Sequence, residues 1–351
     1  MPRFIRQLAW FVAVIVGIIS AASAAWAQGS WTKLAPFPEP AEEISGASAG
    51  GKIYVFAGLA PVWKPVGMVN EYDPATNRWA KKKSMALPSH HVAFTTYRDK
   101  IYAFGGFVLP ESGPPGWVPI NNAWEYEPAT DTWKALAPMP SKRGSALAAV
   151  VNDKIYVIGG ATTIPGSKET AVFPTHPHMS VGTVEEYDPA ANTWRERSAM
   201  PTPRNHAAIG VVAGKIYVIG GRVGAAFIGL ASDISVVEEY DPATDQWSGP
   251  RARMPIARSA IGAAVYRGRI YVAGGEYQDP HMMATFRAVE AYDPASNTWT
   301  EMPPMPVSRH GLAVGIIGNR LHVISGDVQS AGTGVEVSTS EHDAFEFSTN
   351  Q

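Results

Sequence analysis

Six tryptophans at nearly constant spacing constrain this chain more than any other feature. Trp31, Trp79, Trp133, Trp194, Trp247 and Trp299 are separated by 48, 54, 61, 53 and 52 residues. Tyr72, Tyr126, Tyr187, Tyr240 and Tyr292 keep the same step, each seven residues before a tryptophan. Glycine doublets recur with them at Gly105-Gly106, Gly159-Gly160, Gly220-Gly221 and Gly274-Gly275, with weaker copies at Ala57-Gly58 and Ser325-Gly326. Self-similarity at such a period marks a repeat architecture, in which no single unit buries its own apolar face.

Each repeat offers four short β segments and no helical periodicity, for example SALAAVV, KIYVIGG, TVEEYDP and NTWRERS. The second is apolar on both faces, as in Ile155, Tyr156, Val157 and Ile158, so its sheet must be covered on both sides. Four-stranded sheets arranged radially meet that demand, which predicts an all-β, six-bladed propeller with four antiparallel strands per blade. Asp73-Pro74, Asp188-Pro189, Asp241-Pro242 and Asp293-Pro294 carry turn chemistry, joining third and fourth strands in tight hairpins. After Trp299 the next tryptophan falls due near residue 351, so the sixth blade lacks its outer strand. The segment Trp31 to Pro36 matches the outer strands and is expected to complete that blade, removing an exposed edge. Glu346-Phe347 stands where the other third strands have Glu-Tyr-Asp-Pro, which leaves that strand's register open.

Composition excludes several functions. With 29 Lys+Arg against 31 Asp+Glu, the chain has no basic field for a phosphate backbone, and no nucleic-acid partner is expected. The chain has no cysteine, which rules out disulfides, zinc-thiolate sites and cysteine nucleophiles. Arg3 and Arg6, an apolar stretch from Leu8 to Ile19 and small residues ending Ala25-Trp26-Ala27 read as a cleaved secretory signal over residues 1–27. The expected product, residues 28–351, is a single propeller, periplasmic or secreted, with no stable membrane anchor.

The glycine doublet, the tyrosine, the tryptophan seven residues later and the Met-Pro turn resemble kelch repeats, over essentially all of residues 31–351. The resemblance implies a propeller whose first strand is innermost.

Loops joining second to third strands and fourth to first strands must emerge on one face. The former are long and dissimilar, including residues 107–122, 161–182 and 276–287, which is where a rigid scaffold carries function. The latter form a ring near the axis. Twelve residues before each second-strand Ile or Leu lie Ala41, Ser89, Arg143, Arg204, Arg258 and Arg309. Next come Glu42, His90, Gly144, Asn205, Ser259 and His310, then Glu43, His91, Ser145, His206, Ala260 and Gly311. The predicted mouth is asymmetric, with Glu42 and Glu43 beside His90 and His91 and arginines around the rest. Guanidinium groups there suit an anionic or polyhydroxylated ligand. Candidate ligand-binding residues are therefore Arg143, Arg204, His206, Arg258, Arg309, His310 and the loop aromatic Trp117. Trp63 and Phe227 are further loop aromatics that could stack on a ligand. His176, His178 and His281 form no recognised metal-ligand spacing, so no metal or cofactor is assigned. Gly46-Ala47-Ser48-Ala49-Gly50 matches G-x-S-x-G, but no helix follows and Ser48 is not read as a nucleophile.

No catalytic set is complete. The leading reading is an exported binding or interaction module presenting its loops and channel mouth to a protein, peptide or glycan. The alternative is a periplasmic carbohydrate-active isomerase, resembling the kelch sialic acid mutarotases in export and blade count. Glu42 or Glu43 with His90 or His91 would then serve as general acid and base, the arginines holding the sugar's carboxylate.

Overall fold

The computed structural model describes residues 29–60, 64–333 and 335–348. The signal segment and Trp63 lie outside them. Six antiparallel sheets with a four-stranded order make up the ring, the first of them carrying a further short strand, Lys64–Pro65. Blade 3 shows the pattern, with strands Leu147–Val151, Lys154–Ile158, Val184–Asp188 and Thr193–Arg197 in that spatial order. The first strands of neighbouring blades pack side by side around the axis, and those of blades 6 and 1 close the circle. Ser48 lies within one of them, Glu42–Ala49. No helix among the described residues is long and apolar enough to cross a membrane.

The doubly apolar second strands explain the core. Ile155, Val157 and Tyr187 of blade 3 pack against Tyr102, Phe104 and Met139 of blade 2, while Tyr156 and Ile158 face blade 4. Each of the six blade interfaces holds such a cluster. The repeated tryptophans staple these interfaces from the rim. In each, the indole N–H donates to a carbonyl beyond the preceding blade's outer strand, as Trp194 does to Ala137 at 2.8 Å and Trp247 to Ser198 at 2.8 Å.

The Asp-Pro hairpins behave as read. Asp188 Oδ1 accepts from the Ala190 amide at 2.9 Å, and Asp73, Asp241 and Asp293 do the same in their blades. One further polar device is repeated. Tyr187 donates through its hydroxyl to Asn192 Oδ1 at 2.7 Å, and that same oxygen accepts the Ala137 amide of blade 2. Asn192 has φ of 54°, a left-handed conformation that Asn and Asp tolerate better than most residues.

The ring closes as expected. Gly29–Lys33 pairs antiparallel with His342–Phe347 as the outer strand of blade 6. It begins two residues before Trp31 and ends short of Pro36. The register of the third strand departs from the sequence alignment. Trp31 pairs with Phe345, the place a tyrosine holds opposite tryptophan in the other blades, as in Tyr187 opposite Trp194. Phe345, rather than Phe347, is therefore the counterpart of the repeated tyrosine.

Candidate functional site

The arginines read as mouth-lining are buried inside the blades. Arg143, Arg204, Arg258 and Arg309 are at most 1% exposed. Arg143 pairs with Glu185 at 2.6 Å, Arg258 with Glu290 at 2.6 Å and Arg309 with Asp343 at 2.7 Å, and Arg204 pairs with Glu238. Each acid lies two residues before the repeated tyrosine or its counterpart Phe345. Each guanidinium also donates to a backbone carbonyl of the second strand or its closing glycine, as from Arg143 to Val157 at 3.0 Å. The expectation that these groups face a ligand is corrected on that ground. Their charge is already neutralised by a buried carboxylate, and the head group is directed into the sheet.

The positions that follow them do converge on the axis. Glu43, His91, Ser145, His206, Ala260 and Gly311 share one backbone conformation, with φ between 50° and 58°. The Ser145 amide donates to His91 O, the Ala260 amide to His206 O and the Gly311 amide to Ala260 O, tying blade to blade. At Gly311 a Cβ would stand 2.6 Å from the Glu43 amide nitrogen, so this member of the ring has room only for glycine.

A third ring was missed in the sequence. The residue after each glycine doublet bridges to the position before the axial one, pairing Asn205 with Arg222, Ser259 with Glu276 and His310 with Asp327. In blades 4, 5 and 6 this residue is charged and buried. Lining up the doublets and reading one residue further would have found Arg222, Glu276 and Asp327.

Together these rings floor a cavity of about 300 Å³ at the mouth. Glu42, Glu43, His91, His206, Arg222 and Glu276 form its polar base, and Leu59, Trp117, Phe227 and Leu230 are among its apolar walls. Trp117 stacks on Phe227 with ring centroids 4.2 Å apart, over a cluster holding Phe107, Ala161 and Val172 from the same loops. Below the floor, the axial channel opens between the innermost strands, and Glu43, His91 and His206 line it too. These three residues divide channel from mouth.

The floor is an ion-pair network. His310 Nε2 lies 3.3 Å from Glu42 Oε2 and 3.9 Å from Glu276 Oε1. Glu276 also pairs with Arg222 at 3.1 Å and accepts from Ser330 Oγ at 2.9 Å and the Ala331 amide at 2.8 Å. His91 Nε2 lies 3.2 Å from Glu43 Oε2. Burial works against every charge here. It pushes Glu42 up despite His310, and it drives His90 and His206 well below the usual histidine range. In Glu43 the same burial is outweighed, because His91, His206 and His310 hold its carboxyl well below the usual range. Burial likewise opposes the charge on His310, yet Glu276, Glu42 and Glu43 carry it up to about 10.

Three histidines sit elsewhere than a simple mouth would place them. His90 is fully buried behind His91, with the two Nδ1 atoms in contact. His178 accepts the Ala226 amide at 2.8 Å, joining the loops of blades 3 and 4. His342 lies in the interface of blades 6 and 1 against His322 and Tyr72.

Comparison with known proteins bears on this architecture. A family model described as the Kelch motif matches residues 88–140 and 142–201. Another, the KLHDC2/KLHL20/DRC7 Kelch-repeats domain, matches residues 175–326. With the period, the doublets and the six-bladed ring in place, these matches decide the matter. The chain is a kelch-repeat protein. Among similar kelch proteins, Kelch-like protein terF of Aspergillus terreus is 29% identical over 302 residues, covering 84% of this chain and 62% of that one. Kelch-like protein 15 of Danio rerio is 31% identical over 254 residues, covering 70% of this chain and 40% of its own. Beta-scruin of Limulus polyphemus is 28% identical over 265 residues, 74% of this chain and 27% of its own. This kelch propeller thus corresponds to less than two thirds of each of these relatives.

Proposed function

We propose that this protein is an exported binding module, periplasmic or secreted, whose kelch propeller takes a protein or peptide segment on its loop face and inserts one side chain into the mouth cavity. One observation carries the reading. Leu109, Ile164, Leu230, Ile256, Met282, Met283, Val335 and Val337 are the large apolar side chains left exposed among the described residues, and all eight lie in the segments that connect blade strands on the mouth face, Met283 in a short ribbon strand and Leu230 in a 3-10 turn there. Apolar exposure gathered on one face marks an interaction surface, whereas scattered exposure carries no such meaning. The Trp117–Phe227 stack gives that surface a rigid aromatic anchor beside a charged floor, the arrangement that binding hot spots favour. Selection of displayed peptides against the protein tests the reading. Binders with apolar residues that are lost with Leu230→Asp or Val335→Asp support it, and binders indifferent to both substitutions reject it.

The isomerase alternative has one observation in its favour. Glu42 and Glu43 stand one residue apart with affinities for protons pushed in opposite directions, the condition for an acid and a base in one site. It loses another support, since the arginines proposed to hold an acidic sugar are spent on Glu185, Glu238, Glu290 and Asp343. Anomerisation of sialic acid measured with the protein and with Glu42→Gln and Glu43→Gln variants decides it. Acceleration that the variants lose would replace the binding reading with an enzyme.

A further inference from the structure

We propose that Glu43, His91 and His206 hold a divalent transition-metal ion of the zinc class on the propeller axis, with an open coordination position toward the mouth cavity. This goes beyond the docking reading and does not depend on it, because the protein alone supplies the ligands.

The first support is geometric. One ligand atom from each of the three residues lies within 4.8 Å of the other two. His91 Nε2 and Glu43 Oε2 are 3.2 Å apart, close to the edge of about 3.3 Å expected between tetrahedral ligands at zinc bond lengths. The three side chains come from blades 1, 2 and 4, so the site is held by the closed ring rather than by one flexible loop.

The second is the state of the imidazole nitrogens. His91 is 6% exposed, and its buried Nε2 faces the Glu43 carboxylate at 3.2 Å. His206 is equally buried, and its Nδ1 contacts Asn205 Oδ1. A carbonyl oxygen only accepts, so Nδ1 carries the proton and Nε2 presents its lone pair. Asn205 is itself fixed, donating to Ser180 Oγ at 2.8 Å and Ala225 O at 2.9 Å. His90 stands in the same relation to His91, with its Nδ1 positioned to accept from His91 Nδ1. Ligating histidines are oriented in this way, by an acceptor behind the nitrogen that does not touch the metal.

The third is what the neighbours are doing. A second cluster, Glu43 with Glu276 and His310, also converges. Glu276, however, is committed to Arg222, Ser330 and the Ala331 amide, and His310 to Glu42. Two imidazoles and one carboxylate remain, a donor set that suits zinc, cobalt, nickel or iron in the divalent state and gives calcium or magnesium too few oxygens.

The experiment is a titration of the metal-stripped protein with Co2+ and, separately, Zn2+ near pH 7.5. Expected are one equivalent bound, visible d–d absorption with cobalt, and a raised thermal midpoint with zinc. His91→Gln and His206→Gln should each weaken binding at least 100-fold, and Asn205→Ala about 10- to 100-fold. Where a variant does not fold, zinc-dependent shifts of the His91 and His206 ring signals in the unaltered protein give the same answer. No binding at 100 μM metal overturns the site, as does binding undiminished in both histidine variants. Either failure leaves the apolar docking face standing, because that reading is tested by peptides without metal.

Discussion

Arg143 and Glu185 lie 42 residues apart in the chain and 2.6 Å apart in blade 3, both almost wholly buried. Removing one partner strands the other charge away from water. Arg143→Ala should therefore cost about 3–5 kcal/mol, while the double replacement Arg143→Met with Glu185→Leu should recover most of that loss. Urea unfolding of the two singles and the double gives the coupling directly. A loss in the double equal to the sum of the two single losses would show that the pair packs without interacting.

Closure of the ring brings Trp31 against Phe345. The rings of Trp31 and Phe345 are 5.4 Å apart in the seam where the two ends of the propeller meet, and the Trp31 indole donates to Pro303 at 2.9 Å. Trp31→Ala should lower stability by about 2 kcal/mol, since the side chain is only half-buried. Amides of residues 342–347 should exchange faster while those of blade 3 keep their protection, an outcome read by hydrogen exchange.

Acid should act through the seam as well. Burial first, then the charge on Arg320, pushes His322 down to about 4, and burial with His322 pushes His342 down to about 3. Both are neutral in the folded protein at pH values where the unfolded chain has bound protons. Stability from this pair is complete above about pH 6.5 and falls as pH drops toward 4 and 3. Urea midpoints between pH 7 and 4 should fall less in His342→Phe than in the unaltered protein. His310 contributes the opposite slope, because its raised affinity stabilises below about pH 6.5 and that gain is lost as pH rises toward 10.

Glu276 is the first of the carboxylates that sustain the charge on His310. Glu276→Gln keeps the shape and removes the charge, so the His310 titration should move down from about 10. An NMR titration of the imidazole Cε1–H reads it. An unmoved value would assign that work to Glu42 and Glu43.

The sequence made the fold legible because the propeller repeats its reasons. Tyr187 and Trp194 pair across a hairpin, the second strand is apolar on both faces, and each recurs often enough to be counted. The register that sets Phe345 opposite Trp31 stays open in the sequence because its strand lacks the Asp-Pro turn that fixes it elsewhere. The axial positions Glu43, His91 and His206 were also readable, as a column through the repeats. Their distances were not, since blades 1, 2 and 4 meet only when the ring closes. The arginines were misassigned for a reason visible in retrospect. Arg143, Arg204, Arg258 and Arg309 occur in the four repeats with Glu or Asp two residues before the tyrosine or its counterpart, and the repeats with Ala41 and Ser89 have Asn70 and Trp124 there instead. That internal pairing is the signature of a buried salt bridge, and a column-by-column reading of single positions does not show it.

Glu43, His91, Ser145, His206, Ala260 and Gly311 adopt one backbone shape whatever side chain they bear. The axis is thus a dial with five stops and one fixed glycine, and chemistry is chosen by which stop carries which side chain. Exchanging Ser145 and His206 would turn a histidine one sixth of the way round without asking the main chain for a new conformation. A lineage built on this ring can alter what it binds by rewriting single letters at the hub, and the blades that make it stable need not answer for the change.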